Sequence, residues 1–388
     1  MKYNFDVLAQ RKNTNSVKYD EYNSCLPMWV ADMDFLMAPK IKEALQKDLD
    51  VGAIGYTTIP DAFYEAFVNL YHRRYNTDFT KEDLVYVSGV VAAIDAIMKE
   101  VCEKGDNIAM LSPIYHTFFH CIENNGMHPL VSEMIPGGNK YSINWGDLQE
   151  KLADPKTKLF ILCNPHNPMG RIFDEDELRK IEELCFINNV LIVSDEIHGL
   201  LSNPGCKYIP FSNAAKYDNY IVCLATSKAF NLAGLHSAVI VCKNKELRER
   251  MQKVFYRDDI GEPNYFAVNA NIAALNDSED WLDEVNHYVY LNKIYFETYL
   301  EKHIPEIRVM RSDATYMVWV DCRNITSDSK KFTQELNEKT GLLVCPGIQF
   351  GPGGEGFFRI NLATSLANVQ LATKKLEEFI KNNSQNCE

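Results

Sequence analysis

Short runs of consecutive apolar residues recur through the middle of the chain, and each run predicts a β-strand. Apolar and polar positions do not alternate within them, as they would in a strand with one face in water. The runs lie at 84–87, 107–111, 159–163, 190–194, 221–224 and 238–242. Strands buried on both faces are typical of a largely parallel sheet covered by helices, so the pattern predicts an α/β fold.

Helical periodicity separates several of these runs. Between 91 and 101, valine, isoleucine and methionine recur at three- and four-residue intervals, which predicts an amphipathic helix. Another helix is predicted to begin at 174–177, where four successive acidic residues favour a helix N-terminus. Strands that alternate with helices strengthen the α/β interpretation.

The pattern changes after residue 280. A long helix is predicted over 281–303, then strands over 316–320 and 357–361, and a final helix over 366–381. We interpret this region as a smaller α+β domain with which the N-terminal segment packs. The predicted division is an N-terminal segment at 1–49, a large domain at 50–283 and a small domain at 284–388.

Composition narrows the classes of function. The 388 residues are 46% hydrophobic, which fits a globular protein with a large core. A net charge of −13 argues against a nucleic-acid partner, and no apolar run approaches the roughly 18 residues of a membrane helix. The eleven cysteines are scattered without a C-x-x-C pair, so we expect reduced thiols, a cytoplasmic location and no metal site.

Polar motifs follow the predicted strands, where ligands bind in parallel sheets. Ser88-Gly89 precedes a helix whose free N–H groups can bind an anion, although Ser88 can equally be an ordinary helix cap. Asn167 lies between two prolines in the Asn-Pro-His-Asn-Pro-Met-Gly run at 164–170. Such a stiff turn can hold the Asn167 amide in one orientation.

Two charged residues are expected to be buried near these motifs. Asp195 follows an apolar run and needs a cationic partner, which is either a protonated ring nitrogen of a ligand or a lysine or arginine. His198 can reach an oxygen of the same ligand. Arg359 lies in an apolar strand and suits two-point binding of a carboxylate, while the glycines before it suggest a loop that moves.

Lys228 lies among small and apolar residues directly after the predicted strand at 221–224. A lysine in that setting loses its proton readily, and a neutral amine is what forms a Schiff base with an aldehyde. The alternative is a lysine at a loop edge that keeps its ammonium in water.

The order of these motifs resembles the pyridoxal-phosphate (PLP) enzymes of the aspartate-aminotransferase fold. Asp195 follows Asn167 by 28 residues and Lys228 follows Asp195 by 33, spacings typical of that fold. Within it, the chain is similar to the cystathionine β-lyase branch of maltose-regulon and PatB-type C–S lyases. The narrower resemblance is carried by Leu-Pro-Met-Trp-Val-Ala-Asp-Met-Asp-Phe at 26–35, by His198 where aspartate aminotransferases carry tyrosine, and by 227–235.

The resemblance implies a mostly parallel, seven-stranded sheet between helices in a large PLP domain, and a small α+β domain built from both termini. It also implies a role for each site residue. Lys228 forms the Schiff base with PLP, Asp195 pairs with the pyridine nitrogen, and Tyr115 stacks on the ring. Asn167 and His198 approach the phenolic oxygen, while Gly89, Val90 and Ser227 hold the phosphate. Arg359 binds the substrate α-carboxylate, and Tyr56 reaches the phosphate of a neighbouring subunit.

The implied role of Tyr56 predicts a homodimer whose sites are completed across the interface. The chain departs from the family pattern at two positions near the phosphate. His236 stands where many relatives carry arginine, and Ala225 stands where serine or threonine is common. The predicted phosphate site is therefore less cationic than in the aminotransferases.

The resemblance implies a carbon–sulfur β-lyase that converts a small amino-acid thioether, cystathionine or cysteine, to a thiol, pyruvate and ammonia. An aminotransferase is the alternative, since it uses the same residues. A regulatory or interaction protein on this fold is a third possibility. Such regulators usually carry a DNA-binding module, and we expect none before residue 28 of this acidic chain.

Overall fold

The computed structural model describes residues 1–22 and 26–385, with side chains as far as residue 382. The α-helices of this part of the chain are α1 (Val17–Asp20), α2 (Pro39–Asp50), α3 (Asp61–Tyr75), α4 (Val90–Val101), α5 (Thr117–Asn124), α6 (Trp145–Leu152), α7 (Glu175–Ile187), α8 (Phe211–Ala214), α9 (Lys245–Arg257), α10 (Tyr265–Asp277), α11 (Glu279–His303), α12 (Ser329–Thr340) and α13 (Leu366–Gln385). Short 3₁₀ turns cover Lys81–Asp83, Ala233–Leu235 and Gly347–Phe350.

The strands of the same ranges form one large sheet and three smaller ones. They are β1 (Leu26–Pro27), β2 (Leu84–Val87), β3 (Asn107–Ser112), β4 (His128–Glu133), β5 (Ile135–Gly137), β6 (Lys140–Ser142), β7 (Thr157–Cys163), β8 (Leu191–Asp195), β9 (Tyr220–Leu224), β10 (Ala238–Val241), β11 (Arg308–Val309), β12 (Met317–Asp321), β13 (Leu342–Leu343), β14 (Cys345–Pro346) and β15 (Phe357–Asn361).

The large sheet confirms the predicted α/β fold. Its seven strands in the described chain run in the order β2-β10-β9-β8-β7-β3-β4. β10 is antiparallel to both of its neighbours, and the remaining pairs are parallel. The apolar pattern alone did not predict β4, because this edge strand contains Pro129 and is only partly buried.

Each face of the large sheet packs on its own hydrophobic core. Successive residues of β7 point into different cores, Phe160 and Leu162 into one and Leu159 and Ile161 into the other. The first core also contains residues of α3, α7 and α10, and the second contains residues of α4, α5 and α9. Helices therefore cover both faces, which explains why the strands are continuously apolar.

A second, antiparallel sheet forms from the C-terminal region in the order β11-β12-β15-β14. Its core includes residues of α11, α12 and α13. β1 pairs in parallel with β13, and Leu26 and Met28 enter this core. In contrast, α2 packs against α10 beside the large sheet. The proposed boundary between 283 and 284 falls inside the continuous helix α11, and the division into domains stays a prediction.

Residues 28–34, which we call the strap, connect β1 to the segment before α2. Every peptide carbonyl from residue 29 to residue 33 accepts a hydrogen bond from a side chain of a distant segment. The donors are Arg359 Nη2 to Trp29 O (2.9 Å), Asn361 Nδ2 to Val30 O and Asp32 O (2.6 Å each), Lys228 Nζ and the Tyr316 hydroxyl to Ala31 O (2.8 Å each), and Asn231 Nδ2 to Met33 O (2.9 Å). The strap is thereby fixed to both sheets.

A cluster of buried charges secures the same segment from its other side. Lys18, only 1% exposed, places Nζ 2.7 Å from Asp34 Oδ1 and 3.7 Å from Asp32 Oδ1. Arg11 Nη2 lies 2.5 Å from Asp32 Oδ2. The two carboxylates of the strap are thus each compensated by a cation, which burial requires.

The described helices include none that is long and apolar enough to cross a membrane.

Replacing Lys18 by methionine should destabilise the fold strongly, because Asp34 would keep a buried charge without its closest cation. We expect the free energy of unfolding to fall by about 3 to 5 kcal/mol in urea titrations. Lys40→Met is the matched control, since Lys40 pairs with Glu43 on the surface at 2.9 Å. Similar losses in the two variants would contradict a stabilising role for the buried cluster.

Candidate active site

A cavity of about 310 Å³ lies at the carboxyl ends of the central parallel strands. It is bordered by the segments that follow β2, β7, β8 and β9, as expected for ligand sites in parallel sheets. Among the residues that line it are eight of the predicted site residues, namely Gly89, Val90, Tyr115, Asn167, Asp195, His198, Ser227 and Lys228. The fold therefore brings together motifs that are up to 139 positions apart in the sequence.

Lys228 lies on the turn after β9 and points its amine at the strap. Nζ donates a hydrogen bond to the carbonyl of Ala31 at 2.8 Å. Burial lowers the pKa of this lysine, and the positive charge of Arg359 adds to the effect, while Asp32 and Asp195 oppose it. The amine is thus more easily deprotonated than a surface lysine, in agreement with its apolar sequence context.

Asp195 is the last residue of β8, and its side chain is 5% exposed. Burial raises the pKa of Asp195 to about 6, although Oδ1 accepts a hydrogen bond from the backbone N–H of Ile197 at 3.1 Å. Among the described residues, no lysine, arginine or histidine forms an ion pair with it. The sequence left open whether a protein cation would compensate this carboxylate. The charge of Lys228 acts on Asp195, but no cation of the described residues forms an ion pair with it.

His198 is almost completely buried beside the same cavity. Burial, together with the positive charges of Lys228 and Arg359, holds the pKa of this imidazole well below its usual value. Burial therefore favours the neutral form of the ring. Within the described chain its Nδ1 is buried without a hydrogen-bond partner. Unpartnered polar atoms at a cavity fit a polar ligand.

The N-terminus of α4 forms one end of the cavity. Gly89 is the N-cap residue, and no side chain caps the first turn, so Ser88 is not the helix cap that the sequence left as an alternative. A Cβ atom at Gly89 would meet no atom within 4 Å, which leaves open space in front of the helix. Free N–H groups at Val90 and after it, with Ser227 and Ser237 nearby in the lining, suit a phosphate.

Arg359 reaches the site through Asn167. Its Nη1 donates to Asn167 Oδ1 at 3.0 Å, and its guanidinium lies 4.8 Å from the ring centre of Phe350. Arg359 is 4% exposed, and no carboxylate of the described chain pairs with it. A buried guanidinium without an anion is suited to bind the carboxylate of a ligand. Because Asn167 Oδ1 is an acceptor here, its amide NH₂ is the group left to donate elsewhere.

Tyr56 is the predicted site residue that one chain does not bring to the cavity. Its side chain is fully exposed, within the segment 52–60 that has neither helix nor strand. The resemblance assigned Tyr56 to the site of a neighbouring subunit, and that role stays a prediction.

Sequence reasoning gave no role to Ala31, Ser237 or Tyr316. Ala31 acts through its carbonyl, which no side-chain pattern reveals, although it lies in the motif at 26–35. Ser237 follows His236, the position singled out as a departure from the family, and is part of the cavity lining. Tyr316 is the first residue of the strand predicted at 316–320, which gave no signal of a polar role.

Asp195→Asn should change how the stability of the cofactor-free chain depends on pH. The folded state keeps the Asp195 proton up to about pH 6, whereas the unfolded chain releases it near 3.8. The stability of the wild type should therefore fall as the pH rises through this window. Asparagine cannot titrate, so the variant should gain up to about 3 kcal/mol relative to the wild type between pH 4 and pH 7.

Urea unfolding at several pH values measures this difference. Asp218→Asn, an exposed substitution, serves as the control and should leave the pH dependence unchanged. If the free energy of unfolding changed with pH in the same way in the wild type and in Asp195→Asn, burial would not perturb the pKa of the Asp195 carboxyl group.

Comparisons with known proteins identify the family to which the chain belongs. Residues 24–376 match the aminotransferase class I and II family. The chain is 36% identical over 382 residues to cystathionine beta-lyase PatB of Bacillus subtilis. The alignment covers 96% of this chain and 99% of that protein. It also resembles two crystal structures. A PLP-bound putative aminotransferase from Clostridium difficile 630 has a TM-score of 0.94 at 35% identity, covering 97% of this chain and 100% of that one.

The second structure is a PLP-bound C–S lyase from Staphylococcus hominis, with a TM-score of 0.92 at 31% identity and coverage of 97% of this chain and 98% of that one. These matches extend over nearly the whole sequence, and they confirm the family that the ordered motifs predicted. The chain belongs to the aminotransferase class I and II family.

Proposed function

We propose that this protein is a PLP-dependent carbon–sulfur β-lyase that acts on a small amino-acid thioether such as cystathionine. The observation that carries the proposal is the presence in one site of a buried amine, Lys228, and of two buried charged groups, Asp195 and Arg359, that form no ion pair with any described residue. A cofactor with a protonated ring nitrogen and a substrate with a carboxylate supply the missing charges. Relatives named cystathionine beta-lyase and C–S lyase support the reaction type.

The residues present fit PLP. Asp195 would pair with the ring nitrogen, the Asn167 amide and His198 would approach the phenolic oxygen, and Tyr115 would lie against the ring. The N-terminus of α4, with Gly89, Val90 and Ser227, would hold the phosphate, and Lys228 would carry the aldehyde carbon. When bound, PLP supplies an electron sink that stabilises negative charge at the substrate Cα.

The residues of the chain perform the remaining tasks. The Arg359 guanidinium binds the α-carboxylate and thereby orients the substrate, with Asn167 holding the guanidinium in place at 3.0 Å. Lys228, whose pKa is lowered by burial, takes the proton from Cα as a general base. Loss of the sulfur substituent from Cβ then releases a thiol, and hydrolysis of the remaining fragment gives pyruvate and ammonia.

An aminotransferase is the second candidate, because a similar structure at 35% identity is named a putative aminotransferase. It would use the same base and the same carboxylate site. The two reactions differ after the Cα proton is removed. A lyase expels the β-substituent, whereas an aminotransferase returns a proton to the cofactor and needs a keto acid as second substrate.

Incubation with cystathionine and no keto acid should give sustained release of pyruvate and a free thiol. Lys228→Ala should lose nearly all of this turnover, at least about 10³-fold, since the described residues that line the cavity include no other lysine to act as the base. Pyruvate and thiol are measured together, with cysteine, cystine and aspartate as further substrates. Turnover only in the presence of a keto acid would favour the aminotransferase and exclude the lyase.

The proposal includes a homodimer with sites completed across the interface. Leu49, Val51, Ile54 and Tyr56 expose large apolar surfaces along one continuous stretch of chain. The lining residue His236 is also exposed, so the cavity opens to the surface at that end. A second copy that covered the stretch from 49 to 56 would bury it and bring its own Tyr56 to such an opening.

Mixing two inactive variants tests this arrangement. Tyr56→Ala and Lys228→Ala should each be weakly active or inactive alone, because each lacks one component of every site. Co-expressed and assembled at random, they should recover roughly a quarter of wild-type turnover, since half of the dimers would contain one intact site. Activity no greater than the sum of the two parents would place Tyr56 outside the neighbouring site.

A cytoplasmic location is also part of the proposal. The cysteines of the described residues are free, and most are buried within the cores. Reduced, buried thiols are what a reducing compartment maintains.

A further inference from the structure

The carbonyl oxygen of Ala31 accepts two hydrogen bonds of equal length inside the site. One comes from Lys228 Nζ and the other from the hydroxyl of Tyr316, each at 2.8 Å. A carbonyl oxygen has two lone pairs, so the two donors occupy its full capacity. Tyr316 does not belong to the cavity lining, and nothing in the proposed reaction uses it.

Tyr316 is held in place more firmly than packing alone requires. Its side chain is 1% exposed, and its ring meets His198 edge-on with 6.2 Å between ring centres. Thr315, directly before it, has a φ of +65°, in the left-handed region that β-branched residues rarely adopt. Such a conformation persists only where the surroundings determine it, and it occurs most often at functional sites.

The backbone around Thr315 shows what determines this conformation. The N–H of Thr315 donates to Leu201 O at 2.7 Å, and the N–H of Met317 donates to the Thr315 hydroxyl at 3.1 Å. Leu201 follows the segment that carries His198. The turn that aims Tyr316 at the strap is therefore bound to the segment after β8 on one side and to β12 on the other.

We propose that Tyr316 is a positioning residue for Lys228, which acts by sharing the Ala31 carbonyl. The shared acceptor fixes the place where the Lys228 amine rests whenever it is free. That oxygen already accepts a hydrogen bond from the Tyr316 hydroxyl. It therefore binds the charged ammonium of Lys228 less strongly than a carbonyl with no other donor would. Tyr316 thereby favours the neutral amine that the base needs. The inference rests on the proposed role of Lys228 but is independent of the reaction that follows proton removal.

Tyr316→Phe isolates the hydroxyl, since it keeps the ring against His198. The other ionisable groups near Lys228 are unchanged in this variant. They are Asp32 on the strap, Asp195 on β8, Arg359 on β15, and Tyr115, His198 and His236 of the lining. A change in the protonation of Lys228 in this variant therefore reports the loss of the shared hydrogen bond.

The experiment measures the protonation of Lys228 directly in the full chain freed of cofactor. Cyanate reacts with neutral amines, so the rate at which Lys228 is carbamylated, followed by mass spectrometry of its peptide across a pH series, gives its pKa. The exposed Lys47 in α2 is the internal reference. We expect the Lys228 curve of Tyr316→Phe to move up by roughly 0.5 to 1 pH unit, which is a threefold to tenfold lower rate below the pKa.

Tyr288→Phe is the matched control, because Tyr288 is a buried tyrosine whose hydroxyl donates to Asp6 Oδ1 at 2.5 Å outside the cavity. Its Lys228 curve should coincide with that of the wild type, even where its thermal stability falls. A Tyr316→Phe curve that coincides with the wild type, or that moves down, would overturn the proposal. The measurement needs no turnover, so a failure of the lyase assay with cystathionine is a separate result.

Discussion

The site depends on the run of peptide carbonyls in the strap. Five consecutive carbonyls, from residue 29 to residue 33, accept hydrogen bonds from side chains that belong to the lysine turn, to the C-terminal sheet and to the turn before it. Charged donors take part at Ala31 and Trp29, which accept from the Lys228 amine and from Nη2 of the Arg359 guanidinium. The strap therefore accepts hydrogen bonds from the cations of the site without cancelling their charge, because a carbonyl is an acceptor with no net charge.

Because the acceptors of the strap are uncharged carbonyls, charges of both signs persist in one buried site. Arg359 lacks a carboxylate partner in the described chain, and Asp195 lacks a cation. The strap carboxylates would be candidates to neutralise Lys228, yet Arg11 and Lys18 already compensate them. The chain gives up stability at Asp195 and Arg359, and a ligand that brings a cation and a carboxylate restores it. Binding and folding stability are thus coupled at these two residues.

Much of the architecture follows from local pattern. Continuous apolar runs such as 159–163 and 221–224 specify strands buried on both faces, and the residues after them are necessarily neighbours at one edge of a parallel sheet. Asn167, Asp195 and Lys228 could be found in this way. β4 could not, because an edge strand needs no apolar run. Ala31 and Tyr316 could not either, since one acts through its backbone and the other through a turn that only tertiary contacts impose.

The site is organised by backbone oxygens of the strap, so the side chains of the strap can vary without loss of these hydrogen bonds. A peptide carbonyl is the same whichever side chain its residue carries, so substitutions at 29–33 that preserve the path of the chain leave all of these hydrogen bonds intact. Replacement of strap residues by alanine, one at a time, would therefore report side-chain packing and overlook the contacts that organise the site. The contacts would be tested instead by substitutions of the donor residues, such as Asn231, Tyr316 and Asn361, whose side chains make these hydrogen bonds.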